Sequence, residues 1–381
     1  MSSILAVLYG LLLLLVISSF LKNKDTIIVS LFSYVFIAVY LSFTLSSRNV
    51  FEIHDAVVYM GYFDEYSDFN SIFTGSYSWK GDYFFFFLGY LFKLFSKDSE
   101  MYMRTFYFFN AFFYFVVSAL ILWKCRVSNY IFFMLFVCVS SSFFFLYGNV
   151  VRQGLAFSLF LSLIFFLSCR TLSFKIFIIP LVIVAAALSH KAILVLIAPI
   201  FFIRFFRKIP KKLMLLGGCL ASVLLSKFYE VILSLTGGAL LHKLLVYKEA
   251  LGTSDLMVKF IMSFAFLMIA TTLSDRNIMT KVESGVLKVI DYLYYACVFN
   301  FFVAILTIPF GKISTRFLLY TDATLLLLLP ILILISFKYN KELFGLKFYF
   351  VCFFVVLIMF PYSFMFFQHA GIVSVLGEAV F

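Results

Sequence analysis

Apolar runs close to twenty residues long, separated by short basic clusters, repeat along nearly the whole chain. A helix needs about 20 apolar residues to cross ~30 Å of hydrocarbon, so each run reads as a membrane span. Twelve spans are predicted, over residues 3–20, 26–45, 102–122, 129–147, 151–168, 176–189, 190–203, 213–227, 258–273, 289–309, 317–335 and 348–367. Residues 84–95, "FFFFLGYLFKLF", form a further run of only twelve residues with Lys93 inside it. That is short for a span and suits an interfacial or re-entrant helix. It lies in a long outer loop, 46–101, and a second outer loop covers 228–257. Strands alternating lipid-facing and polar residues are absent, which argues against a barrel. The predicted fold class is all-α: one integral membrane domain over 1–381, a polytopic transmembrane helical bundle.

The first run, Ile4 to Phe20, has no basic segment ahead of it and no small-residue cleavage site. It reads as a retained span and not as a signal peptide. The apolar stretch 174–204 divides at Ser189–His190 into two helices of about fourteen residues, each ~21 Å long. Such a hairpin stops short of the far interface. Exposed turn backbone at that depth is tolerated only inside protein or in a water-filled cavity. The turn, with His190 and Lys191, therefore predicts a cavity open to the outside.

Composition strengthens this picture. The 381 residues are 64% hydrophobic and 13% charged, against about 25% charged in a soluble domain. The formal net charge of +12 is distributed as a topology signal. With both termini outside, the inside connections hold seventeen of the thirty Lys and Arg but five of the eighteen acids. They carry all of the net charge, as the positive-inside rule requires. No nucleic-acid partner is needed to explain the basicity. The six cysteines (125, 138, 169, 219, 297, 352) have no paired spacing and read as small packing residues. No nucleotide-binding glycine loop and no metal-ligand spacing occurs, so neither cofactor nor metal is expected.

Candidate chemistry gathers at the outer ends of the spans. "YGNVVRQGLAFSLF" places Arg152 and Gln153 between two apolar runs, where a permanent charge is costly and marks function. His190 and Lys191, and Lys312 and Arg316 in "FGKISTRFLLYTD", map to the same side. Cations at the bottom of such a cavity suit an anionic head group, because arginine engages phosphate oxygens two at a time and lysine adds a mobile charge. In the acidic loop "FEIHDAVVYMGYFDEYSDF", Glu52 and Asp55 are three apart and Asp55 and Tyr59 four apart, the spacing of one helical face. A buried Asp55 could act as general base on a sugar hydroxyl. Each residue also has a plain structural reading. Arg152 could snorkel to the interface or pair with Asp55, and His190 could be a hydrogen-bonded turn residue. Lys191 and Lys312 could be interface anchors.

The chain resembles the EpsG-like branch of Wzy-type bacterial polysaccharide (O-antigen) polymerases. "HDAVVY" resembles that family's Asp-x-x-x-Tyr after the second span, although "EIHD" stands where small residues usually precede the aspartate. "NVVRQGLAFSLFLSLIFFL" resembles its Asn-x-x-Arg-Gln run opening a helix, and "AAALSHKAILVLIAPIF" its histidine hairpin followed by proline. "KISTRFLLY" and "MFPYSFMF" are similar to later segments. The resemblance implies a GT-C-like membrane glycosyltransferase of the cytoplasmic (inner) membrane, with its active site facing the exterior. Donor and acceptor would both be undecaprenyl-diphosphate-linked oligosaccharides, and a partner protein often sets chain length. Arg152, Gln153, Lys191, Lys312 and Arg316 would hold the departing diphosphate. Asp55 or His190 would orient or deprotonate the acceptor, with Glu52 and Tyr59 contacting the glycan. The rival readings are an O-antigen ligase, a lipid-linked oligosaccharide flippase and a membrane O-acyltransferase. A flippase should show two repeated halves, and none is visible.

Overall fold

The computed structural model describes residues 10–11, 14, 23–52, 54–75, 81–127, 129–169, 175–235, 253–274 and 279–339. Among them all regular structure is helical. In chain order the helices are α1 (Asn23–Ser46), α2 (His54–Glu65), α3 (Ser71–Thr74), α4 (Tyr83–Phe95), α5 (Ser99–Lys124), α6 (Tyr130–Cys138), α7 (Ser141–Gly148), α8 (Val151–Ser168) and α9 (Lys175–Ser189). Then follow α10 (Ile193–Phe201), α11 (Ile203–Phe206), α12 (Lys211–Leu235), α13 (Thr253–Leu273), α14 (Ser284–Leu306) and α15 (Gly311–Tyr339).

Six of these contain spans long and apolar enough to cross a membrane, at Ile27–Ser46, Ser99–Lys124, Val151–Ser168, Leu256–Leu273, Ser284–Leu306 and Gly311–Tyr339. The pair α6 and α7 makes a seventh if counted as one span, but it bends by 76°. The chain is a multi-pass helical membrane protein. The smaller number than the twelve expected has visible sources. Expected span 129–147 is the bent pair, and 176–189 and 190–203 correspond to the short helices α9 and α10. Expected span 348–367 and all but three residues of 3–20 lie outside the described residues, as do residues 236–252 of the second outer loop, with His242 and Lys243. The apolar run at 84–95 is the 13-residue α4, too short to span. Its internal Lys93 donates to the Phe63 carbonyl at 2.5 Å, which satisfies the charge locally.

Helix ends follow from side-chain caps, each accepting from an otherwise orphaned N–H. Asp98 accepts from Met101 N at 2.7 Å and starts α5. Asn129 accepts from Phe132 N at 3.2 Å and starts α6, while Ser30 of α1 accepts from Tyr130 N at 2.6 Å. Ser140 accepts from Phe143 N at 3.2 Å and starts α7, so the sharp break has a capping residue at its corner.

The described residues form two compact units, one of those up to 193 with 337–339, the other of those within 194–336. In the first unit α8 is the central helix. It packs against α5, α7 and α9, and it is buried on nearly every face. Lipid is as apolar as leucine, so helices in a membrane associate through close packing and polar contacts, and small residues let backbones approach. Gly154, Ser158 and Ser162 line up four apart on α8. A Cβ on Gly154 would stand 2.7 Å from the Leu146 carbonyl oxygen and 2.9 Å from Asn110 Nδ2. Ser158 Oγ lies 2.9 Å from the Tyr147 hydroxyl.

The second unit is built around α14. Asp291, buried on α14, takes both Arg207 Nη2 at 2.7 Å and Lys211 Nζ at 3.4 Å. The Lys211 ammonium also lies 4.7 Å from the centre of the Tyr294 ring. These cations come from the basic cluster 204–212, so part of the charge read by sequence as a topology signal also binds helix to helix. Asp322 of α15 accepts from Ser263 Oγ at 2.5 Å.

Because the α8 packing leaves no room at residue 154, Gly154→Val should destabilise the detergent-purified protein by about 1–3 kcal/mol. The measurement is the midpoint of thermal unfolding by scanning fluorimetry. An unchanged midpoint would mean that α5 and α7 retreat without cost.

Candidate functional site

The first turn of α8 is fixed from three sides before any ligand is considered. Asn110 of α5 donates to the Val151 carbonyl at 3.0 Å. Gly154 brings α7 and α5 against the helix one turn on. Arg48, just beyond α1, reaches the residues ahead of the helix. It donates to the Gly148 carbonyl and, at 3.4 Å, to Asn149 Oδ1. Arg48 is only 1% exposed, and its guanidinium carbon lies 5.6 Å from the centre of the Tyr107 ring. Burial pulls its pKa down, and the Tyr107 phenol opposes that.

On this fixed turn stands Arg152. Its Nη1 forms an ion pair with Asp82, which is 4% exposed. Its Nε donates to the Tyr59 hydroxyl at 2.8 Å, and its Cζ lies 5.5 Å from the centre of that ring. These contacts use two of the five N–H donors of a guanidinium. Burial pushes the Tyr59 phenol up to about 12, with Arg152 opposing and Asp55 and Asp82 adding to the rise. Near neutral pH the phenol is therefore intact, able to accept from Arg152 and still donate its proton. Asp55 opens α2 one turn before Tyr59 and is partly exposed. The Asp55–Tyr59 spacing does fall on one helix. Glu52 instead closes a 3-10 turn over Val50–Glu52 that precedes α2.

The histidine turn comes to the same place. Helix α9 ends at Ser189, and the His190 N–H still bonds back to the Ala186 carbonyl at 3.0 Å. His190 Nε2 is buried. The next residue, Lys191, puts its ammonium beside Gly81, 2.9 Å from where a Cβ of that residue would stand. Gly81 has φ +72°, a backbone conformation that glycine adopts freely, and it leads directly into Asp82 and α4. Helices α4 and α9 pack together, which holds the two loops in register.

Arg152 thus joins Asp82 and Tyr59, with Asp55 one turn before Tyr59 on α2 and Lys191 of the His190 turn beside Gly81. Gln153, next to Arg152 on α8, is 4% exposed, and its Oε1 is buried without a hydrogen-bond partner. Lys312 and Arg316 belong to the second unit, exposed and four residues apart at the start of α15. Pairing of Arg152 with Asp55 was one plain structural reading; the pair is with Asp82 instead. Neither Asp82 nor Arg48 is picked out by sequence. Gly-Asp ahead of an apolar run reads as a helix cap, and an arginine after a span reads as an interface anchor. Among the described residues no three His, Cys, Asp or Glu side chains come together in a metal-binding arrangement.

Gly81→Ala should lower stability by about 1 kcal/mol or more, from the strained backbone and from collision with Lys191. Adding Lys191→Ala should recover part of it, a non-additivity above about 0.5 kcal/mol in a double-mutant thermal-unfolding cycle. Strict additivity would show that the two residues do not touch.

Comparison with known proteins gives one family. The model of the EpsG family matches residues 33–373. No curated protein and no solved structure matches the chain.

Proposed function

The chain belongs to the EpsG family, and from that premise we propose a membrane polysaccharide polymerase of GT-C-like type acting on undecaprenyl-diphosphate-linked repeats. The growing glycan leaves its lipid diphosphate and is joined to the sugar of another lipid-linked repeat, on the outer face of the cytoplasmic membrane. The observation that supports this best is Arg152 itself. It is a permanent cation at the head of a buried apolar helix, braced by Asp82 and Tyr59, with Lys191 beside the same loop.

The chemistry needs a counter-charge for the diphosphate as the glycosidic bond to it breaks. A guanidinium prefixed in a low-dielectric setting stabilises that developing charge without reorganising. Arg152 serves that role, and the mobile Lys191 ammonium adds to it. The intact Tyr59 phenol offers one more proton to a phosphate or sugar oxygen. Asp55 and His190 are the two groups able to take the acceptor hydroxyl's proton. Gln153 remains assigned by family resemblance to orienting phosphate or sugar oxygens. Lys312 and Arg316 remain assigned to the diphosphate by family resemblance.

The test is reaction of the purified protein with defined lipid-linked repeats, read as a glycan ladder. Arg152→Ala should lower the rate by about 100-fold or more, and Arg152→Lys should restore only part of it. Normal ladders from Arg152→Ala would remove the diphosphate role. A single transfer per acceptor would identify a ligase, and absence of any new bond would identify a flippase. Asp55→Asn and His190→Asn, made singly, separate the base from the orienting group. Loss of the base should cost about 100-fold or more, and loss of the other less.

A further inference from the structure

A cation that holds a diphosphate well enough to help it leave also holds the product. An enzyme that joins many repeats must let the spent lipid diphosphate go after each one. The geometry around Arg152 contains a group suited to that step. Asp82 is the N-cap residue of α4, a position where aspartate normally accepts from the first-turn N–H groups. Here its side chain makes no capping hydrogen bond, and its carboxylate pairs with Arg152. The residue before it, Gly81, has φ +72°, and as a glycine it has wide backbone freedom for a change of direction. The carboxylate therefore has two seats: the Arg152 guanidinium, which it occupies, and the first turn of its own helix. The second seat carries the partial positive charge of a helix N-terminus.

We propose that Asp82 is a positioning residue that exchanges with the anionic substrate on Arg152. This rests on the reading of Arg152 as the diphosphate ligand. In the empty site Asp82 holds the guanidinium in place. An arriving diphosphate displaces it, and the carboxylate moves to cap α4. After transfer Asp82 returns to Arg152 and expels the product. Its competing charge thus weakens anion binding and speeds release.

The experiment titrates inorganic pyrophosphate into the full-length purified protein by calorimetry, and compares single-turnover with steady-state transfer on lipid-linked repeats. For Asp82→Asn the pyrophosphate Kd should fall about tenfold, and steady-state turnover should fall about tenfold further than single-turnover bond formation does. Asp82→Ser, which also caps a helix but carries no charge, should behave the same way. A residue that merely holds the fold together would lower affinity and both rates together. Unchanged or weaker pyrophosphate binding in either variant overturns the exchange, and so does failure of both variants to fold. Arg152→Ala serves as the separate control. If it binds pyrophosphate as the wild type does, or if the wild type binds none, the diphosphate reading falls and the exchange with it. If binding is lost in Arg152→Ala yet not tightened in Asp82→Asn, only the exchange fails.

Discussion

A guanidinium withdrawn from water must find its counter-charge and its acceptors inside the protein. In the first unit Arg152 finds them in Asp82 and Tyr59, which arrive from two other helical segments. Breaking such a pair by removing one partner typically costs about 3–5 kcal/mol, because the other charge is left stranded. The pair therefore has a structural consequence as well as an electrostatic one. It ties the loop before α4 and the buried face of α2 to the first turn of α8. The supporting contacts of Arg48, Asn110 and Gly154 all converge on that same turn. Position and charge are thus maintained by one connected set of interactions.

The same set accounts for the small residues and polar atoms scattered through an otherwise apolar chain. In lipid there is little hydrophobic gain in pressing two helices together. Close approach at Gly154 and the Tyr147–Ser158 contact provide the dispersion and hydrogen bonding that remain. In the second unit Asp291 with Arg207 and Lys211 does comparable work, joining α14 to the basic segment 204–212. That segment reads by sequence as a topology marker, and it also holds structure.

Much of the fold is legible in the chain. The runs 26–45, 102–122 and 151–168 match α1, α5 and α8 closely, because a long apolar stretch must satisfy its backbone internally in lipid and does so as a helix. The short helix at 84–95 and the turn at His190 are legible for the same reason. The 76° corner between α6 and α7 is not, since "VCVSSSFF" reads as part of one apolar run and the break depends on Ser140 accepting from Phe143. Within the site, Arg152 stands out because a charge is conspicuous against leucine and phenylalanine. Its true partner does not. Asp82 is seventy residues away in sequence, and pairing across that distance is set by the packing of α4 and α8 around their neighbours, which no local spacing encodes. Gln153 is a different case: adjacency to Arg152 suggests a shared role, while successive helical residues point about 100° apart, so spacing alone does not place its side chain.

The Arg48 guanidinium occupies the space that a side chain on residue 148 would need: a Cβ there would lie 2.8 Å from Nη2 and 2.9 Å from Nη1. The two positions are therefore coupled: a side chain at 148 would push the guanidinium off the carbonyl that it satisfies. Room at the residue ahead of the helix is thus set by the bulk of a neighbour a hundred residues upstream, whatever the glycine's own conformational needs.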